Sequence, residues 1–109
     1  MPLFTTDRPS DRTIREGEII HVAVVNAINI LRDVREMITN TFGGKMKRYE
    51  TLMDYTLRQA MEKLETEAQS RGYDGCVAVR ISHPRIADGA CEIFVYGTGF
   101  NYVTAGQEQ

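Results

Sequence analysis

From Tyr49 to Ala68 the apolar positions return every three or four residues, through Leu52, Met53, Leu57, Ala60, Met61 and Leu64, with Thr56 inside the same stripe. That spacing is the repeat of an α-helix, and it predicts one long amphipathic helix between Gly43-Gly44 and the Gly72–Gly75 turn. Glu50, Asp54, Arg58, Glu62, Glu65 and Glu67 fill the other side. Asp54 and Arg58, like Arg58 and Glu62, stand four apart, where opposite charges meet across a helical turn. Burying about five large stripe residues at ~1.5 to 3 kcal/mol each contributes on the order of 10 kcal/mol before chain entropy is subtracted, so packing rather than propensity holds this helix.

Elsewhere the period changes to two, the signature of strands. Ile19 to Val25 is rich in β-branched residues, with Ile20, Val22 and Val24 on one face and His21, Ala23 and Val25 on the other. Cys76 to Ser82 alternates next, setting Val77, Val79 and Ile81 against Cys76, Ala78, Arg80 and Ser82. Cys91 to Tyr96 sets Cys91, Ile93 and Val95 against Glu92, Phe94 and Tyr96. Pro84 and Asp88-Gly89 supply turn residues between the last two strands, so an antiparallel hairpin is expected. A register pairing Val79 with Val95 and Ile81 with Ile93 would also bring His83 opposite Cys91. Leu31, Val34, Met37 and Ile38 recur at helical spacing and predict a short first helix that ends at Gly43. Residues 1–18, mixed in Asp, Arg, Ser, Thr and Pro, read as an arm, a loop or a short edge pairing. The expected fold class is α+β: strand, short helix, long helix and C-terminal hairpin, within a single domain spanning 1–109.

Composition narrows the function. With 109 residues the chain is long enough for a modest core without disulfides. A net charge of -2, from 13 basic and 15 acidic residues, gives no electrostatic reason to expect nucleic acid. Apolar runs such as Val22 to Val25 are far shorter than the ~20 residues a membrane helix needs, and the opening MPLFTTDRPSDR lacks an apolar signal core. A soluble, cytoplasmic protein is expected, with Cys76 and Cys91 as free thiols.

Candidate chemistry is sparse. Thiolate and imidazole are the usual ligands of zinc, copper and nickel, which makes His21, Cys76, His83 and Cys91 the candidate metal residues. None sits in a paired spacing such as CxxC or HExxH; an intersubunit site built from one or two residues per chain is the form a symmetric assembly would favour. Gly43-Gly44-Lys45 lacks the spacing of a phosphate loop, and no Ser or His stands in a nucleophile–base context, so no enzyme is expected. Arg80 and Glu92 are candidates for a cross-strand charge pair.

Asn29, Arg32-Asp33, Gly43-Gly44, Tyr49, Gly72, Val77-Ala78-Val79-Arg80, Glu92 and Tyr96-Gly97-Thr98 occur in an order that resembles the YbjQ-like family of small bacterial proteins. The resemblance spans residues 29 to 100, with a weaker echo at Thr5-Thr6. It implies a β-α-β-β unit like a dodecin subunit, a ring-like pentamer, and a heavy-metal-binding label with no established activity. The chain departs from the family at Glu18 and Val22, where glycines are usual, and at Thr56-Leu57 before Arg58. A flavin is not expected, since the chain has no Trp and no recognisable stacking signature.

The leading expectation is a non-enzymatic homo-oligomer. The alternatives are a metal-ion or small-ligand binding module, and a scaffold whose Thr5 to Gly17 arm recruits another protein. The physical ground is that one helix covers one face of a three-stranded sheet and leaves the other face and the edges to be protected.

Overall fold

The computed structural model describes residues 2–27, 45–84 and 90–104, with helix side chains from Glu50 onward. Strand β1 is Ile14–Ala27, helix α1 is Lys45–Ser70, β2 is Gly75–Ser82 and β3 is Ala90–Tyr102. The sheet order is β1-β3-β2, with both pairings antiparallel. This is the expected α+β unit, one helix against a three-stranded sheet. The short helix expected from Leu31 to Phe42, the Gly43-Gly44 joint, the Tyr49 side chain and the hairpin turn at 85–89 lie outside the described residues.

The helix buries a narrower stripe than its sequence suggests. Leu52, Thr56, Ala60, Leu64 and Ala68, each four residues from the next, are buried against the sheet, with Leu57 partly buried beside them. Met53 and Met61, expected in the same stripe, are exposed. Four-residue steps drift slowly around a helix and keep one line of contact, while the i+1 positions fall outside a single flat sheet. Asp54 and Arg58 form the expected pair at 2.9 Å. Being exposed, it contributes ~0.3–0.5 kcal/mol. Gly72 ends the turn after the helix at φ +85°, and its N–H reaches the Gln69 carbonyl at 3.0 Å.

On the sheet, Ile20, Val22 and Val24 face the helix together with Cys91, Ile93 and Val95, as the alternation requires. Two differences from the sequence reading stand out. β1 begins at Ile14, so the end of the supposed arm is strand paired with Phe100 to Tyr102. The remaining arm makes the expected short edge pairing, along β2: the Phe4 N–H donates to the Cys76 carbonyl at 2.9 Å, and the Val79 N–H to the Phe4 carbonyl at 2.9 Å. The second difference is a bulge at Ala78, where Ala78 and Val79 together face the single residue Gly97. Ala78 takes a left-handed conformation, φ +52°, and the extra residue reverses the facing of the strand. Val77 therefore points away from the helix while Cys76, Val79 and Ile81 point towards it, contrary to strict alternation. Beyond the bulge the pairing is Ile81 with Val95 and Ser82 with Phe94, two residues away from the expected register.

Because a left-handed alanine costs ~1–2 kcal/mol and glycine gives back ~0.5–1 through its freer unfolded chain, Ala78→Gly is expected to stabilise the fold by about 0.5–1 kcal/mol. A higher urea midpoint at unchanged slope is the expected reading; a lower midpoint would show that the methyl group is needed for packing.

Candidate functional site

The four candidate metal residues are separated by the sheet. His21 lies opposite Tyr96 on the face away from the helix, exposed, its ring stacked on Phe94 at 5.8 Å between centroids. Cys76 is fully buried on the helix side at the end of the sheet tied to the arm, opposite Gly99. Cys91 is buried on the helix side at the other end, opposite Asn26. The eight residue steps along β3 from Cys91 to Gly99 span ~26 Å, far beyond the reach of a disulfide or a shared ion. Both cysteines are free thiols.

His83 and Cys91 do meet. The two-residue register shift turns the expected direct opposition into a diagonal contact, with Nε2 3.9 Å from Sγ. Behind the thiol runs a polar chain. The Thr56 hydroxyl hydrogen-bonds with Cys91 and also donates to the Leu52 carbonyl at 2.7 Å. The Asn26 amide donates to Thr56 Oγ1 at 3.0 Å and to Gln59 Oε1 at 2.9 Å. These second partners were not singled out from the sequence. The available signal was a hydroxyl at the centre of an apolar stripe, since a buried Thr needs a partner besides its own i−4 carbonyl. Among the described residues, no group of three or more His, Cys, Asp or Glu side chains gathers around a common point.

The electrostatics favour a protonated thiol. Burial pushes the Cys91 thiol up from its ordinary value near 9.0; Thr56 opposes this and the Glu92 charge adds to it. Burial alone raises Cys76. A protonated, enclosed thiol is a weak nucleophile. Thiol reagents should therefore react slowly with the native chain and with two equivalents on unfolding. A folded pKa above the unfolded one gives stability that holds below pH 9 and is lost as pH rises through the folded value, because the unfolded chain then binds fewer protons. Two thiols titrating at full rate in native protein at pH 7 would contradict this placement.

Arg80 and Glu92 do not face each other. Arg80 pairs with Tyr96 and donates through Nη1 to the Thr5 carbonyl at 2.8 Å, clamping the arm. Glu92 pairs with Val25 and is buried.

The face of the sheet away from the helix is covered unevenly. At the arm end, Phe4 packs on Phe100 at 6.2 Å, Phe100 meets the Tyr102 edge at 5.1 Å, and the Arg12 guanidinium lies 3.7 Å above the Tyr102 ring. From there towards the other end, Ile19 is 69% exposed, Tyr96 38% and Val25 58%. Among the described residues no strand pairs with the outer edge of β1, and Lys63 Nζ reaches the Ala23 carbonyl at 3.3 Å, so this carbonyl points outward rather than into the ladder.

Residues 1–102 match the YbjQ family model, whose description reads "Putative heavy-metal-binding". A UPF0145 protein of Halobacterium salinarum is 33% identical over 99 residues, covering 90% of this chain and 95% of the relative. One from Halorubrum lacusprofundi is 39% identical over 99 residues, with the same coverage of both. One from Acinetobacter baylyi is 30% identical over 90 residues, 83% of each chain, so the relatives come from archaea as well as bacteria. A crystal structure from Pediococcus pentosaceus, of a DUF74-family protein with unknown function, superposes with a TM-score of 0.64 at 13% identity, covering 94% of this chain and 98% of that one. That likeness concerns the fold.

Proposed function

This chain belongs to the YbjQ family, and we propose that it works as a non-enzymatic homo-oligomer, a pentameric ring in the cytoplasm, whose subunits close the sheet surface that the helix leaves bare. The observation that supports this is the apolar patch of Ile19, Val25, Phe94 and Tyr96 beside the open edge of β1. An uncovered β-edge flanked by apolar side chains is a template for association, and proteins that stay monomeric blunt such edges with charge, proline or bulges. Here the bulge between Glu16 and Ile19 lies at one end of β1, and the regular pairing from Ile19 to Ala27 presents its outer edge to a neighbour. The opposite edge is already occupied by Pro2 to Thr6. Light scattering on a size-exclusion column tests the reading: a stable species near 12.3 kDa at micromolar concentration refutes it, and an intermediate multiple revises the subunit number.

The second reading, a metal-binding module, is favoured by the His83–Cys91 contact together with the description of the family. In it, Cys91 supplies the thiolate and His83 the imidazole, and the ion supplies positive charge that replaces the thiol proton. Cys76 and His21 fall outside this pair.

A further inference from the structure

We infer that the His83–Cys91 pair is a site for a soft d10 ion of low coordination number, Cu(I) or Ag(I), rather than for four-coordinate zinc; this rests on the metal-binding reading above. The donor set is one imidazole and one thiolate, with no third acidic, His or Cys side chain gathered there among the described residues. Zinc sites are closed by four ligands, or by three and a water. A soft monovalent ion is satisfied by two, and thiolate selects it.

Sγ and Nε2 are 3.9 Å apart, close enough for one ion to reach both donors.

The surroundings complete the site. His83 is exposed and Cys91 buried, so the imidazole is the point of entry and the sulfur the enclosed anchor. Thr56 hydrogen-bonds with Cys91 and is itself held by the Leu52 carbonyl and the Asn26 amide, which fixes the sulfur without adding a soft ligand. On binding, the S–H bond breaks, the proton leaves to solvent and a sulfur–ion bond forms; no electron is transferred.

The test uses the full-length Cys76→Ser protein, so that only one thiol remains. Anaerobic titration with Ag(I), and with Cu(I) against a chromophoric competitor, is expected to give one ion per chain. Adding Cys91→Ser should weaken binding at least 100-fold, and adding the exposed substitution His83→Ala at least 10-fold with the circular dichroism unchanged. Zn(II) should bind at least 100-fold more weakly than Ag(I). Zinc binding as tight as silver would overturn the low-coordination assignment while leaving the metal reading standing. Failure of every ion would overturn both. Tight Ag(I) binding that His83→Ala does not alter would remove the site from this pair. Light scattering of the same samples reports the assembly separately.

Discussion

Gly99→Ala is expected to destabilise the fold by about 3 kcal/mol, more than most surface or strand alanines, although it adds a single methyl group. A β-carbon at Gly99 would stand 2.6 Å from Cδ2 of Tyr73 and 2.8 Å from its Cε2. The ring cannot move aside easily. The outer part of the ring lies over Gly17, where an added β-carbon would also collide with it. Its hydroxyl accepts the Glu18 N–H at 2.9 Å and lies 3.2 Å from Glu18 Oε1, while Arg71 holds the same carboxylate at 3.3 Å. Tyr73 thus locks the turn after the helix onto the bulge between β1 and β3, and the two glycines are the flat floor under its ring. Loss of that packing resembles truncation of a half-buried aromatic, which sets the estimate of about 3 kcal/mol. The cause is separable by a double-mutant cycle. In a Tyr73→Ala background, Gly99→Ala should cost less than about 1 kcal/mol, with an interaction energy of roughly 2 kcal/mol. Equal costs in both backgrounds would place the strain in the strand backbone instead.

That lock also shows where sequence reading stops. The α1 stripe, the three strands and their order along the chain are legible because each follows from periodicity, and burial confirms Ile20, Val22 and Val24 against Leu52, Thr56, Ala60, Leu64 and Ala68. Bulges are not legible in this way. Neither Ala78 nor the Gly17-Glu18 pair announces that two residues will face one, yet the bulge at Ala78 sets Val77 on the face opposite Val79 and moves the pairing by one residue, and the hairpin beyond it closes two residues away from the expected register. The cysteine and histidine residues could be named from residue type, but their grouping depends on that register. His83 reached Cys91 because a two-residue shift preserves the facing of the strand; a one-residue shift would have put them on opposite faces. The partners Thr56 and Asn26 lie thirty positions apart and meet only through the packing of α1 on β1.

On the proposed assembly, Val25→Lys is expected to release monomers, raising the subunit dissociation constant at least 100-fold, about 2.7 kcal/mol. Val25 is exposed on the bare face, beside the outward-facing edge that Ala23 marks, and its cross-strand neighbour is the buried Glu92. In a monomer a lysine there is tolerated: its stem lies over the sheet, its ammonium reaches water, and a carboxylate stands opposite. In a ring each interface must desolvate one such ammonium, and the closed symmetry repeats the penalty at every contact. The substitution therefore separates folding from assembly, with unchanged circular dichroism and thermal unfolding that becomes independent of protein concentration. Met53→Lys is the matching control, since Met53 is also a large exposed apolar side chain but lies on the helix. It should leave the assembled mass unchanged. If Met53→Lys dissociates the assembly and Val25→Lys does not, subunits meet through their helices and the sheet face serves another purpose. If neither changes the mass, the contact lies elsewhere on the surface, and the apolar patch over Ile19, Val25, Phe94 and Tyr96 is not what joins one subunit to the next.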